Sequence, residues 1–118
     1  MKKNQELTGA ERRRFERVDV AFSAGVQVTD RKGKVMGVLR QLGRGGFMLE
    51  PNKPIKPGKK YDVLIVDKSE DVRRAVTALA RYADARYAGF EFQHLDVDAA
   101  VDIGILIGKY YASEVAPA

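Results

Sequence analysis

A chain of 118 residues, 45% hydrophobic and 31% charged, is sized for one domain with its own core. It carries no cysteine, which excludes disulfides, thiol chemistry and cysteine-held zinc. The formal charge of +5 leaves anionic partners open, phosphate ligands and nucleic acid alike.

Residues 1–11 are polar and aperiodic, and are read as a flexible tail. They contain no apolar stretch of the kind a secretory signal needs, and the longest nearly apolar run, 103–108, is too short to cross a bilayer. A cytoplasmic location without membrane insertion is expected. Next comes ERRRFERV (11–18), where Arg12, Arg13, Arg14 and Arg17 set four guanidiniums within six positions around Phe15. A guanidinium grips phosphate with two donors and stacks on flat rings, so the cluster suits a nucleotide. Charge along the chain points the same way. Residues 1–17 hold six Lys/Arg against Glu6, Glu11 and Glu16, whereas 96–118 hold Lys109 against Asp96, Asp98, Asp102 and Glu114.

From 18 to 28 the even positions Val18, Val20, Phe22, Ala24, Val26 and Val28 are apolar and the odd ones polar or small, which predicts one half-buried strand. TDRKGK (29–34) is a hairpin turn with Gly33 available for positive φ, and 35–42 returns as a second strand. GRGG (43–46) makes a tight turn into a third strand at 47–50. Its glycines can alternate the sign of φ and point neighbouring N–H groups into an anion nest. A plain hairpin turn with positive φ is the simpler reading. PNKPIKPGKK (51–60), with three of the four prolines, is a surface connection. Further strands are expected at 61–66, 74–82 and 86–92, joined by polar turns at 67–71 and 83–85.

The last element changes period. Asp96 or Asp98 can cap a helix in which Val97, Val101 and Ile105, with Ala100 and Gly104, repeat every three to four residues. Ile103, Leu106, Ile107, Tyr110 and Tyr111 widen that apolar face. The expected fold is therefore all-β dominated: a six-stranded antiparallel barrel closed by a C-terminal α-helix. Its bounds are set at 12–112, leaving 113–118 as a tail.

With a single histidine, no cysteine and no phosphate-loop signature, no catalytic set can be assembled, and the chain is read as a non-enzyme with no cofactor and no metal. His94 is read as a polar residue in the turn before the helix. Asp96, Asp98 and Asp102 are assigned to capping and a solvated helix face rather than to a cation site.

Three stretches together resemble a family. Arg13-Arg14-Phe15-Glu16-Arg17 reads as Arg-x-x-x-Arg before the first strand, QLGRGG (41–46) precedes FML, and YAGFEF (87–92) forms a late strand. In that order they look like the PilZ domain, a bacterial receptor for the second messenger cyclic di-GMP, over about residues 11–112. The resemblance implies that Arg13 and Arg17 bind phosphates and the guanine O6/N7 edge. It puts Arg12 where it can stack on a base or meet a second, intercalated ligand. Gln41, Gly43 and Gly46 would supply the opposite wall.

The second family motif, Asp/Asn-x-Ser-x-x-Gly, is altered: Gln41 replaces the first residue, Gly43 the serine, and Gly46 matches. Loss of one neutral hydrogen bond costs about 1 kcal/mol, and Arg44 offers a compensating charge. The expected function is a cyclic di-GMP receptor or adaptor that signals to an effector protein by ordering residues 1–17, as monomer or homodimer. The alternative keeps the fold but acts through protein contacts alone, without the nucleotide. A nucleic-acid binder ranks behind both, because no cluster of paired aromatics offers itself for base stacking.

Overall fold

The computed structural model of the chain describes residues 17–20 and 25–115, the last four of these as backbone. Seven strands run in order: β1 (Arg17–Asp19), β2 (Gln27–Asp30), β3 (Val35–Gly43), β4 (Gly46–Pro51), β5 (Lys60–Asp67), β6 (Val72–Ala83) and β7 (Ala88–His94). One helix, α1 (Val97–Val115), follows them. All pairings are antiparallel, and the path β2–β5–β6–β7–β4–β3 returns from β3 to β2. This is the expected six-strand barrel. Closure gives each of its strands two neighbours and leaves no open edge among them.

The first expected strand is divided. β1 pairs Arg17, Val18 and Asp19 with Gly43, Leu42 and Gln41, while β2 pairs Gln27 with Val38 on the same edge of β3. Val20 N–H donates to the Arg40 carbonyl and Leu39 N–H donates to the Val26 carbonyl, both at 2.8 Å. Val20 and Val26 thus meet adjacent residues of β3. Phe22 and Ala24 lie outside the described residues. Val18, Val20, Val26 and Val28 all point into the core as the alternation requires. Two other strands are longer or shifted: β6 begins at Val72, and β7 runs 88–94 because Asp84 accepts the N–H groups of Arg86 and Tyr87 at 2.8 Å and holds them in the turn. His94 consequently ends β7 rather than lying in the turn.

The Ala-rich stretch 75–80 is strand, as its short flanking turns imply. Val76, Ala78 and Ala80 alternate inward against Val63, Leu39, Leu49 and Phe90 within one core. At the far end of the β5–β6 hairpin a 3-10 turn, Lys68–Glu70, is completed by Asp71 in the left-handed region (φ 55°). The residue before it, Asp67, read from sequence as part of a polar turn, is buried at 1% exposure.

Asp96 starts α1 by accepting the Ala99 N–H at 2.8 Å. The helix packs on β1, β3 and β6 through Ala99, Ile103, Leu106, Ile107 and Tyr110. This corrects the face expected from sequence: Val97, Val101 and Ile105 are exposed, as is Tyr111. Asp102 is not simply solvated either. Arg74 of β6 grips its Oδ2 through Nε and Nη2, each at 2.7 Å. That clamp turns the Asp102 side toward the barrel and the Val101–Ile105 side away. The helix continues to Val115, beyond the expected boundary at 112.

Candidate functional site

Two irregularities of pairing shape one end of the barrel. Between β3 and β4 the register runs Leu39↔Leu49 and then Gln41↔Met48, so Arg40 is an extra residue. Between β6 and β7 it runs Ala80↔Phe90 and then Tyr82↔Gly89, so Arg81 is extra. A bulge bends its strand and re-aims the side chains beside it. The two bulges, with the start of β1 and the β3–β4 turn, enclose a cleft of about 350 Å³. Its floor includes Phe47 and Phe90, whose rings stack at 4.8 Å and 11°.

Arg17, Gln41, Gly43 and Gly46, four of the residues expected at the binding site, all line this cleft. Arg12 and Arg13 lie outside the described residues. Gln41 is engaged: its Nε2 donates to Asp19 Oδ1 at 2.9 Å, across the β1–β3 pair. Gly46 sits opposite Glu91 of β7, and a Cβ there would collide with the Phe90 carbonyl oxygen. The glycine is therefore required by strand packing, whatever it offers a ligand.

Two expectations about the turn fail. Neither Gly45 nor Gly46 takes a left-handed φ, so GRGG builds no alternating nest of N–H groups. The turn is held instead by the Phe92 N–H donating to the Gly45 carbonyl at 2.9 Å. Arg44 does not line the cleft; its Nη1 lies beside Gly104 of α1. The compensating charge assigned to it from sequence is not supplied at the cleft wall.

The remaining wall was missed. Arg81, Tyr82, Gly89 and Glu91 come from β6 and β7, and Arg81 Nη1 faces Glu91 Oε1 at 3.3 Å. The motif YAGFEF contains Gly89 and Glu91, but nothing in its spacing shows that a bulge on the partner strand turns Arg81 and Tyr82 toward them. Among the described residues no cluster of His, Cys, Asp or Glu is arranged to hold a metal ion. No helix of the described residues is long and apolar enough to cross a membrane.

Comparison with solved structures returns the same architecture. The PilZ domain of YcgR from Escherichia coli, described with c-di-GMP, superposes with a TM-score of 0.67 at 13% identity, covering 83% of this chain and 90% of that one. The Bacillus subtilis inhibitor of motility MotI/DgrA gives 0.63 at 14% identity, over 85% of this chain and 51% of its own length. The PilZ domain of CeSA from a cellulose-synthesizing bacterium gives 0.59 at 18% identity, over 79% and 95%. No match was found among curated proteins. At these identities the structures establish the fold, while the PilZ domain family model matches residues 11–108 directly. With a closed six-strand barrel, a C-terminal helix and a family match over most of its length, the chain belongs to the PilZ domain family.

Proposed function

We propose that this protein is a cyclic di-GMP receptor that passes the signal to an effector protein. The observation that carries the reading is the convergence of Arg17 with Gln41, Gly43 and Gly46 on one cleft, although Arg17 stands more than twenty positions before the other three. Arg17 opens β1 and lines the cleft. In this reading Arg13 and Arg17 take the phosphates and a guanine O6/N7 edge. Arg12 stacks on a base or meets a second ligand. Occupancy orders residues 1–17 across the barrel, and the changed surface is what the effector reads. Catalysis has no part in it.

Calorimetric titration with cyclic di-GMP tests the reading. The wild-type chain is expected to bind saturably, and Arg13→Ala/Arg17→Ala to lose at least about 100-fold in affinity, as two charge-assisted contacts disappear. Full affinity in the double variant would falsify the arginine site. A second reading, an adaptor that works without nucleotide, is favoured by Gly43, which has no hydroxyl, and by Gln41, whose amide is already bonded to Asp19. It would be supported by the absence of heat at high ligand concentration. A nucleic-acid binder fits less well, because Phe47 and Phe90, the stacked aromatic pair, are buried.

A further inference from the structure

We infer that Arg81 and Tyr82 form a second ligand wall of the cleft, with Tyr82 as a platform for a planar base, Arg81 as a phosphate contact, and Glu91 as a built-in competitor for Arg81. The inference rests on the reading of the cleft as a cyclic dinucleotide site, and adds Arg81 and Tyr82, which lie in none of the stretches that carry the family resemblance.

Local backbone comes first. In a regular strand neighbouring side chains point to opposite faces, so of two consecutive residues one should be buried in this barrel. Ala78 and Ala80 obey that rule and face the core. The bulge then breaks it: Arg81 and Tyr82 are both exposed, and both line the cleft. Bulges are over-represented beside functional sites, where they re-aim a side chain or end a pairing.

Tyr82 is fixed in a particular attitude. A Cβ on Gly89 would collide with its Cδ1, Cε1 and Cζ, so the ring lies on the bare backbone of β7. The glycine makes room for the ring to lie flat. With 47% of its surface still exposed, the tyrosine keeps a free apolar surface at the cleft edge, where a purine can stack. An unconstrained surface tyrosine would lose rotamer freedom on binding such a ring; this one has already lost much of it.

Arg81 is held, but loosely. Its 3.3 Å contact with Glu91 joins side chains that are 62% and 52% exposed. Ion pairs so open to water contribute little, and they yield readily to a partner with more charge and better geometry. A phosphate diester offers two oxygens to the guanidinium fork. When it arrives, Glu91 becomes a like-charged neighbour of the ligand. Its carboxylate therefore opposes binding twice, by holding Arg81 and by repelling phosphate.

That sign is the distinctive consequence. Glu91→Gln keeps the shape of the side chain and is expected to tighten cyclic di-GMP binding by about two- to fivefold. Tyr82→Leu is expected to weaken it by about tenfold, and Tyr82→Phe to recover most of that loss because the stacking surface returns. Arg81→Ala is expected to weaken it by about tenfold as well. Calorimetry on the full chain reads all four, with Arg17→Ala in parallel and circular dichroism to confirm that each variant is folded. Wild-type affinity in both Tyr82→Leu and Arg81→Ala, alongside loss in Arg17→Ala, would overturn the second wall and leave the receptor reading intact. Weaker binding in Glu91→Gln would overturn the competitor role and make Glu91 a ligand contact. No binding by the wild-type chain would overturn both readings together.

Discussion

Asp67→Ala is expected to cost about 3 kcal/mol of folding stability, read as a shift in the urea unfolding midpoint at neutral pH. The carboxylate is buried at the end of β5 and accepts four hydrogen bonds. Oδ1 takes the Ser69 N–H at 3.0 Å and the Ser69 hydroxyl at 2.7 Å. Oδ2 takes the Tyr110 hydroxyl at 2.7 Å and Lys109 Nζ at 3.3 Å. Lys109 also donates to Ser69 Oγ at 2.6 Å and lies 3.3 Å from Glu70 Oε2. One side chain thus joins the β5–β6 turn to the C-terminal half of α1. Alanine leaves the buried Tyr110 hydroxyl without this acceptor and removes the anion opposite Lys109.

The same network fixes how stability varies with pH. Burial pushes the Asp67 carboxyl up, but the hydrogen bonds from Ser69, Tyr110 and Lys109 together outweigh it, and the group titrates below its ordinary value. The unfolded state therefore binds the proton more readily. Asp67's contribution is complete above the unfolded value near ~4 and is lost as pH falls through the lower folded value. Tyr110 acts at the other end. Burial, reinforced by the bond to Asp67, pushes its phenol up to about 12 from the ordinary 10.0. Its contribution is complete below the ordinary value and is lost as pH rises through the shifted one. Asp67→Ala is expected to flatten the acid limb of the stability profile and to bring one tyrosinate transition, followed by ultraviolet absorbance, back toward the ordinary value. An unchanged midpoint with an unchanged tyrosinate titration would show that the network is solvated and contributes nothing.

The legibility of these features in the sequence follows their range. The barrel was readable because strand alternation and turn residues are local signals. β3 through β7 fall within about two residues of where the pattern puts them. The interruption between Val20 and Val26 was not readable, because the even positions stay apolar straight through it. Gly25, with φ of 68°, was the available sign. The helix was placed correctly but turned wrongly. Val97, Val101 and Ile105 are as apolar as the stripe that packs, so periodicity offered two faces, and the Arg74–Asp102 clamp shows which one meets the barrel. Asp67 looked like a turn residue because Tyr110, its partner, is 43 positions away. In the cleft, Arg17, Gln41, Gly43 and Gly46 were identifiable from short motifs, whereas Arg81, Tyr82 and Glu91 depend on a bulge that no residue type announces.

Gly46→Ala is the second large effect, expected to cost about 3 kcal/mol or more and to weaken ligand binding with it. The atoms in the way are not side chains that can rotate aside. A Cβ at this position meets the carbonyl oxygen and carbon of Phe90 and the Cα of Glu91, all backbone of the paired strand β7. Relief requires β4 and β7 to separate where Gly46↔Glu91 and Phe47↔Phe90 pair, which disturbs the Phe47–Phe90 stack and the cleft floor together. The neighbouring glycine supplies the control. A Cβ at Gly45 meets nothing within 4 Å, and its φ lies outside the left-handed range, so Gly45→Ala is expected to change stability by less than about 0.5 kcal/mol. Urea midpoints for the two variants therefore separate a packing requirement from a general need for flexible glycines in the turn. If both variants lose stability equally, the turn and not the β4–β7 contact sets the requirement. If Gly46→Ala alone falls, the residue retained from the second motif is explained by two strands too close to admit a methyl group.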